Sequence, residues 1–343
     1  MIKKVIVTGA GGYVGIPLCL SLANKGYEVT ALDRFFFGMD KLSLLSQFNN
    51  VAIVKDDIRY CDTAIFKGVE AVIDLAGLSN DASAEIDPDL TRSINYKGSE
   101  RFIAEAKKNG VRRYVYASSA SVYGAGSKEA LKESDALAPQ TEYARSKVAI
   151  EKVLSDLKED SFSPVMLRNA TIFGLAPRMR FDLAINIMTM RAWKERVVYI
   201  MGGGEQWRPF VHVSDVVSAF ILMLEAEQQQ IHGEIFNVGS SQLNYQIKQL
   251  AQFVVDAIPN VRIHTIPDDP DRRTYHVNFD KIKTQLGYTA KVQVRDGILE
   301  IKQALEKGTL NPDDPTCYTL QWYKSLIAWE KRIKELSYNE RIL

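Results

Sequence analysis

Short apolar segments alternate with longer amphipathic ones over the first half of the chain. The apolar segments are Lys3–Thr8, Tyr27–Leu32, Val51–Val54, Ala71–Leu75, Tyr114–Ala117 and Val165–Arg168. Apolar runs this short, bounded by turn residues, predict buried parallel strands. Between them, the pattern predicts helices at Tyr13–Lys25, Ser93–Asn109 and Tyr143–Leu157. Strands that alternate with helices in this way predict an α/β protein with a doubly wound parallel sheet.

The rhythm changes after Gly174. A helix is predicted at Arg178–Trp193, a strand at Phe210–Val213, a helix at Asp215–Ala226 and a strand at Glu234–Val238, followed by a helix-rich remainder. We therefore expect a nucleotide-binding domain of residues 1–174, to which a segment at about 210–238 returns. Residues 175–209 and 239–343 then form a smaller α/β domain that binds substrate.

Composition narrows the function mainly by exclusion. The formal net charge of the 343 residues is +1, so no charge excess favours nucleic acid or an anionic membrane as a partner. Three scattered cysteines form neither a disulfide framework nor a zinc cluster, and we expect no metal. The N-terminus leads directly into a strand without a signal peptide, and no apolar run spans a bilayer. A cytoplasmic protein is the expectation.

A glycine-rich turn joins the first predicted strand to the first helix. Gly9 permits the tight turn, Gly12 lets a pyrophosphate approach, and Gly15 lets the helix pack on the strand. Such a turn directs backbone N–H groups at phosphates, which favours a Rossmann-type dinucleotide site over an ordinary turn. Asp33 ends the second strand and can accept hydrogen bonds from the ribose hydroxyls, which favours NAD. Arg34, the next residue, favours NADP instead, because an arginine there can pair with the 2′-phosphate.

Tyr143 and Lys147 lie one helical turn apart, so their side chains share one helix face. A neighbouring ammonium is expected to lower the pKa of the phenol, so that Tyr143 can take a proton from a substrate hydroxyl. Such a pair alone is also typical of an exposed helix face. Ser119, at the end of an upstream strand, adds a hydroxyl at the sheet edge where doubly wound folds bind ligands.

Together these residues resemble the extended short-chain dehydrogenase/reductases, in the nucleotide-sugar epimerase/dehydratase family. The matches run in family order from Thr8–Gly15 through Ser118–Gly124 and Tyr143–Lys147 to Arg208–Asp215. The resemblance implies bound NAD, a nucleoside-diphosphate sugar substrate, a catalytic triad of Ser119, Tyr143 and Lys147, and a homodimer built on the helices at 93–109 and 143–157. Beside the glycines, Asp33, Arg34, Tyr143 and Lys147, the implied cofactor contacts are Tyr13, Val14, Asp57, Ile58, Leu75, Ala76, Gly77, Ala117 and Ala170.

Substrate contacts are expected from polar side chains that follow the strands and from basic residues of the second domain. The candidates are Ser79, Asn80, Ser119, Ser121, Thr171, Arg180, Asn186, Arg208 and Arg272. Ser79 and Asn80 either contact sugar hydroxyls or form an Asx turn. The arginines either meet the substrate diphosphate or are surface charges, and Arg180 and Asn186 are expected on the helix after Gly174.

Family members that remove water from the sugar carry an Asp-Glu pair directly after the catalytic serine or threonine. This chain has Ala120 and Ser121 there, and neither side chain is a general acid or base. The sequence therefore favours an NAD-dependent epimerase that acts at C4 through a 4-keto intermediate. The alternatives are an NAD(P)-dependent keto-sugar reductase, another NAD-assisted rearrangement or dehydratase, and a non-catalytic NAD-binding protein on the same fold.

Overall fold

A computed structural model describes residues 2–124, 130–267, 273–338 and 341 of the chain. Seven of the described strands form one parallel sheet in the order β11-β7-β5-β4-β1-β2-β3. The strands are β1 (Lys4–Thr8), β2 (Glu28–Asp33), β3 (Val51–Lys55), β4 (Ala71–Asp74), β5 (Arg113–Ser119), β6 (Ala130–Leu131), β7 (Ser163–Asn169), β8 (Thr171–Phe173), β9 (Val197–Met201), β10 (Trp207–His212), β11 (Ile235–Val238), β12 (Asn244–Gln246), β13 (Arg262–Ile266) and β14 (His276–Val277).

Helices cover both faces of this sheet. The described α-helices are α1 (Gly15–Asn24), α2 (Ser43–Ser46), α3 (Asp81–Ala84), α4 (Pro88–Thr91), α5 (Ser99–Lys108), α6 (Glu142–Leu157), α7 (Ala184–Glu195), α8 (Val213–Glu225), α9 (Gln228–Ile231), α10 (Ile247–Ala257), α11 (Asp280–Leu286), α12 (Val294–Glu306) and α13 (Thr319–Leu336). A π-helical segment, Arg92–Gly98, leads into α5. Short 3₁₀ turns lie at Asp40–Leu42, Thr63–Phe66, Ala120–Tyr123, Gly202–Gly204, Ser241–Leu243 and Pro315–Cys317.

The core lies in two layers because each central strand is buried on both faces. Val5 and Val7 of β1 pack with Leu18 of α1 on one side of the sheet, in the same cluster as α8. Ile6 of β1 packs on the other side, in a cluster with Phe102 of α5 and Ile150 of α6. Strands buried on both faces are continuous apolar runs, as the sequence shows. The predicted doubly wound α/β fold is confirmed.

The remaining described strands form three smaller sheets. Strands β8, β10 and β12 form a three-stranded sheet, β9 pairs with β13, and β6 pairs with β14. Helix α7 packs against α12 and α10. Strand β11 returns to the edge of the main sheet beside β7. The division into a nucleotide domain and a substrate domain stays a prediction. None of the described helices combines the length and apolarity that a membrane crossing requires.

The predicted helix at Arg178–Trp193 is wrong in its first turn and a half, since α7 begins only at Ala184. The backbone N–H of Phe181 donates to the carbonyl of Cys317 at 2.8 Å, in place of a helical partner. Arg180 and Asp182 form an ion pair of 2.5 Å within this irregular segment. The segment 175–183 therefore follows its tertiary partners, and it places charged side chains at the sheet edge.

Candidate active site

A cleft of about 650 Å³ opens at the carboxyl ends of the parallel strands, where doubly wound folds bind ligands. It brings together predicted residues that lie far apart in the sequence. Those in its lining are Gly9, Gly12, Tyr13, Val14, Gly15, Asp33, Arg34, Asp57, Ile58, Leu75, Ala76, Gly77, Ser79, Asn80, Ala117, Ser119, Ser121, Tyr143, Lys147, Ala170, Thr171, Arg180 and Arg208.

The glycine turn forms a cradle that side chains would fill. Gly9 has φ of +66°, and a Cβ there would lie 2.9 Å from the carbonyl of Leu75. A Cβ on Gly15 would lie 2.1 Å from the carbonyl oxygen of Gly9, and one on Gly12 would lie 3.0 Å from the same atom. Only glycine allows β1 and α1 to meet this closely and leaves the backbone open to a phosphate. The cradle thus fits a dinucleotide pyrophosphate.

Asp33 lies at the far end of this cradle. Its carboxylate accepts the N–H groups of Gly11 at 3.0 Å and of Phe35 at 2.6 Å, which fixes the side chain at the end of β2. Burial raises the pKa of this carboxyl, against the two backbone N–H groups that lower it. Arg34, the counter-signal for NADP, forms an ion pair with Asp57 at 3.1 Å. Asp57 also pairs with Arg59 at 2.7 Å, so this carboxylate is shared by two guanidinium groups and Arg34 stays partly exposed. The preference for NAD therefore comes from Asp33.

Ser119, Tyr143 and Lys147 converge at the other end of the cleft. Lys147 donates from Nζ to the carbonyl of Ala117 at 2.6 Å, and Nζ lies 5.5 Å from the centre of the Tyr143 ring. The hydroxyl of Ser119 hydrogen-bonds the Tyr143 side chain and accepts the N–H of Ser121 at 3.2 Å. Strand β5 and helix α6 thus hold one phenol and one serine hydroxyl side by side.

The expectation that Lys147 lowers the pKa of Tyr143 is not met by the protein groups. Burial raises the pKa of the phenol to about 12, and the charge of Asp81 adds to the increase. The hydrogen bond from Ser119 and the charge of Arg180 act in the opposite direction but are weaker. Desolvation thus outweighs the favourable charges, a balance that the spacing of two residues in a sequence does not reveal.

Lys147 is itself buried, and burial lowers its pKa to about 8, against Asp74 and Glu151, whose negative charges raise it. Asp74 is held by the hydroxyls of Thr8 at 2.6 Å and Tyr114 at 2.8 Å. Asp74, the last residue of β4, is thus a buried structural residue whose carboxylate is bound by neighbouring strands. This arrangement also places a buried carboxyl behind the lysine that faces Tyr143.

This burial predicts a pH-dependent stability. In the folded chain without ligand, Lys147 loses its proton near pH 8, whereas in the unfolded chain it does so near 10.5. Between these values the unfolded state binds more protons, so stability rises with pH. We expect wild type to gain about 2–3 kcal/mol relative to Lys147→Met between pH 7.5 and pH 10. Urea unfolding at several pH values measures this difference.

The control is Lys152→Met, an exposed lysine on the same helix that forms an ion pair with Asp156 at the surface. Its stability difference from wild type should change by less than about 0.5 kcal/mol over the same pH range. A difference between wild type and Lys147→Met that stays constant with pH would contradict the lowered pKa of Lys147.

A polar network lines the substrate end of the cleft, next to Tyr143. Arg180 forms an ion pair with Asp182 at 2.5 Å and donates to the hydroxyl of Ser79 at 3.3 Å. Asn80 donates to the same carboxylate at 2.6 Å and accepts the N–H of Ser83, so it also caps α3. Both interpretations of the Ser79–Asn80 turn are therefore compatible with the structure. The hydroxyl of Ser121 is buried in the lining without a hydrogen-bond partner among the described residues.

Among the described residues, one predicted substrate residue, Asn186, is not brought into the cleft. Asn186 is 0 % exposed, and its amide donates to the hydroxyl of Tyr13 and the carbonyl of Arg180. Its carbonyl oxygen accepts the N–H of Gly174, so Asn186 ties the irregular segment to the glycine turn instead of facing a ligand. Arg272 lies outside the described residues.

Sequence reasoning missed several residues of the lining. Arg273 lies in the cleft, where it forms an ion pair with Asp81 at 2.7 Å. Its position next to the predicted Arg272 was the available signal. Arg178 and Tyr323 also line the cleft. Arg178 was not predicted because it was assigned to a helix that does not form there. Tyr323, on α13, was not predicted because it lies far along the chain from the other cleft residues.

The model of the NAD dependent epimerase/dehydratase family matches residues 5–239. The chain belongs to this family of enzymes, which confirms the resemblance and the prediction of NAD as cofactor. A curated relative, the uncharacterized UDP-glucose epimerase YtcB of Bacillus subtilis (strain 168), is 26% identical over 311 residues, covering 86% of this chain and 95% of that protein. UDP-glucuronic acid decarboxylase 1 of Arabidopsis thaliana is 26% identical over 325 residues, covering 91% and 72%.

Among solved structures, UDP-glucuronic acid 4-epimerase from Bacillus cereus, in complex with UDP-glucuronic acid and NAD, has a TM-score of 0.81. It is 22% identical and covers 89% of this chain and 99% of its own, so it establishes the fold. Relatives named as epimerases, decarboxylases and dehydratases are equally similar in sequence. The comparisons therefore establish the family but do not distinguish between these reactions. The reaction has to be inferred from the residues of the cleft.

Proposed function

We propose that this enzyme is an NAD-dependent epimerase that inverts C4 of a nucleoside-diphosphate hexose. One observation carries the proposal: Ser119, Tyr143 and Lys147 meet in the cleft, while Ala120 and Ser121 occupy the next two positions. Once bound NAD supplies a hydride acceptor, the first three residues are sufficient for the proton transfer in the reversible oxidation of an alcohol. An elimination of water requires a further acid or base.

The cleft residues fit the cofactor along its whole length. The glycine cradle accepts the pyrophosphate, Asp33 the adenosine ribose, and Tyr143 with Lys147 the nicotinamide end. Bound NAD supplies a hydride acceptor that later returns the hydride. A 4-epimerase uses the same molecule of cofactor in both half-reactions, so it needs no exchange between turnovers.

The protein groups perform the proton transfer. Tyr143 removes the proton of the C4 hydroxyl and later returns it, while Ser119 holds the same oxygen through its hydroxyl. Lys147 places a positive charge near the phenolate, and an oxidised nicotinamide bound at this end of the cleft would add a second positive charge, which would lower the pKa of Tyr143. Arg180 and Arg208 line the cleft and are candidates to bind the anionic diphosphate of the substrate.

The carboxylates near Tyr143 are engaged elsewhere. Among the described lining residues, Asp81 forms an ion pair with Arg273 and accepts the hydroxyl of Thr141. Asp182 is bound by Arg180, Asn80 and Thr319. Carboxylates whose oxygens already accept these bonds are less available to exchange a proton with a sugar. This supports epimerisation over dehydration, and the carboxylate of Asp33 at the ribose end weakens the case for an NADP-dependent reductase.

The experiment supplies purified enzyme and NAD with a panel of UDP-, dTDP- and GDP-hexoses, including a uronate, and follows the sugars by NMR. We expect the C4 epimer as the product, with less than about 5% of a 4-keto-6-deoxy sugar or a pentose. A 4-keto-6-deoxy product, release of CO₂, or net consumption of NADPH with a keto-sugar would each replace the proposal. Homodimerisation through α5 and α6 remains a prediction that sedimentation of the same sample can test.

A further inference from the structure

Arg178 is a buried cation with no carboxylate partner in the part of the chain that the structure describes. Its side chain is 2 % exposed, and its guanidinium stacks over the ring of Phe37 at 3.5 Å. One terminal nitrogen donates to the hydroxyl of Thr319 at 2.9 Å. Its Nε is buried and has no hydrogen-bond partner among the described residues. The side chain nevertheless lines the cleft.

Such an arrangement is costly in the protein alone. A buried guanidinium normally forms an ion pair, because removing its charge from water is expensive. Burial, followed by the repulsion of the neighbouring Arg180, lowers the pKa of Arg178 to about 10. The neighbouring acid, Asp182, is bound to Arg180 instead. An anionic group in the cleft would therefore satisfy both the charge and the open donor of Arg178.

The position of Arg178 along the cleft indicates which anion this is. At one end, its charge lowers the pKa of Asp33, at the ribose end of the cradle. At the other end, it adjoins Arg180, whose charge acts on both Tyr143 and Tyr13. Arg178 thus lies between the groups assigned to the two ends of the dinucleotide. The group of NAD that lies between its two ends is the diphosphate.

We propose that Arg178 binds the diphosphate of the dinucleotide from the side opposite the glycine cradle. The glycine turn offers backbone N–H groups on one side, and Arg178 offers a fork of charged N–H donors on the other. This inference rests on the NAD dependence of the family and does not depend on the reaction at C4.

The C-terminal helix holds Arg178 in place. Thr319, at the start of α13, binds its guanidinium, and Tyr323, one turn later, packs on Phe37 with 5.5 Å between ring centres. The indole N–H of Trp322 donates to the carbonyl of Phe36 at 2.6 Å. Helix α13 therefore contacts both the loop after Asp33 and the segment that contains Arg178. It connects these two segments along the part of the cleft that we assign to the dinucleotide.

The test compares ligands with and without a diphosphate. Wild type and Arg178→Met, both stripped of nucleotide, are titrated calorimetrically with ADP-ribose, adenosine and UDP. We expect Arg178→Met to lower the affinity for ADP-ribose by about 10- to 100-fold. Affinities for adenosine and for UDP, the probe of the substrate diphosphate, should change by less than about twofold. The control Arg191→Met removes another arginine of the cleft lining, on α7, and should leave ADP-ribose unchanged.

A thermal melt of the ligand-free protein separates binding from a structural role. Because methionine packs on Phe37 without a buried charge, Arg178→Met should melt at the same temperature as wild type or higher. If the variant fails to fold, Arg178→Lys, which keeps the charge, serves in its place and should lose at least about fivefold in ADP-ribose affinity. Unchanged ADP-ribose affinity, or a loss confined to UDP, overturns the proposal even if the enzyme proves to be a C4 epimerase.

Discussion

Replacement of Tyr143 by phenylalanine should lower kcat by about 10³-fold or more while the cofactor remains bound. The cleft places this phenol beside Ser119, and we propose it as the proton donor and acceptor. General acid–base groups contribute about 10²–10⁴-fold. The ring of Phe keeps the packing of α6, so the free energy of unfolding should change by less than about 1 kcal/mol. Initial rates with the accepted sugar nucleotide, and NAD released on denaturation, measure both quantities.

Tyr245→Phe is the matched control. This tyrosine lies on β12 outside the described cleft lining and packs edge-on against Phe253 at 5.2 Å. Removal of the Tyr245 hydroxyl should leave kcat within about twofold of the wild-type value. If Tyr143→Phe kept more than a tenth of the wild-type kcat, on the order of 1 kcal/mol in barrier, Tyr143 would not be the group that moves the proton.

Gly15→Ala should have the second-largest effect, on folding and on cofactor binding together. The new Cβ would lie 2.1 Å from the carbonyl oxygen of Gly9, so β1 and α1 must move apart. Overpacking of this kind costs about 1–3 kcal/mol. Because the N–H groups of the cradle are displaced, the affinity for NAD should fall by more than about tenfold. Urea unfolding and calorimetric titration with NAD measure the two effects.

Gly26→Ala controls for the backbone change alone. Gly26 has φ of +85°, and a Cβ there would meet no atom within 4 Å, so only the left-handed backbone is penalised. We expect a loss of about 1 kcal/mol with unchanged NAD affinity. Equal NAD affinity in Gly15→Ala and wild type would show that the close approach of β1 and α1 does not form the cofactor cradle.

The sheet and the cofactor half of the cleft were predictable because they depend on local sequence. The apolar runs of central strands, such as Val5–Val7, are buried, and the glycine turn follows β1 directly. The run Val51–Val54, predicted as a buried strand, lies instead in the partly exposed edge strand β3. The carboxyl ends of parallel strands then bring Asp33 and Ser119 to one edge without further information. The position of these residues at the site therefore follows from which strand each of them ends or follows in the sequence.

The substrate half was less predictable because long-range contacts decide it. The helical pattern at Arg178–Leu183 yields to a backbone bond with Cys317. Asn186 turns away from the cleft to bind Tyr13, more than 170 positions earlier. The pKa of Tyr143 depends on burial and on Asp81, neither of which follows from the spacing to Lys147. Propensity and spacing carry no information about such partners.

The most direct test follows a deuterium label at C4 of the accepted nucleotide hexose. If Tyr143 exchanges only the hydroxyl proton and the hydride returns to the carbon that lost it, the C4 epimer must retain the deuterium. We expect near-complete retention in the epimer, with no net formation of reduced cofactor. Loss of the label to solvent, or oxidation of substrate without inversion at C4, would contradict epimerisation through a 4-keto intermediate.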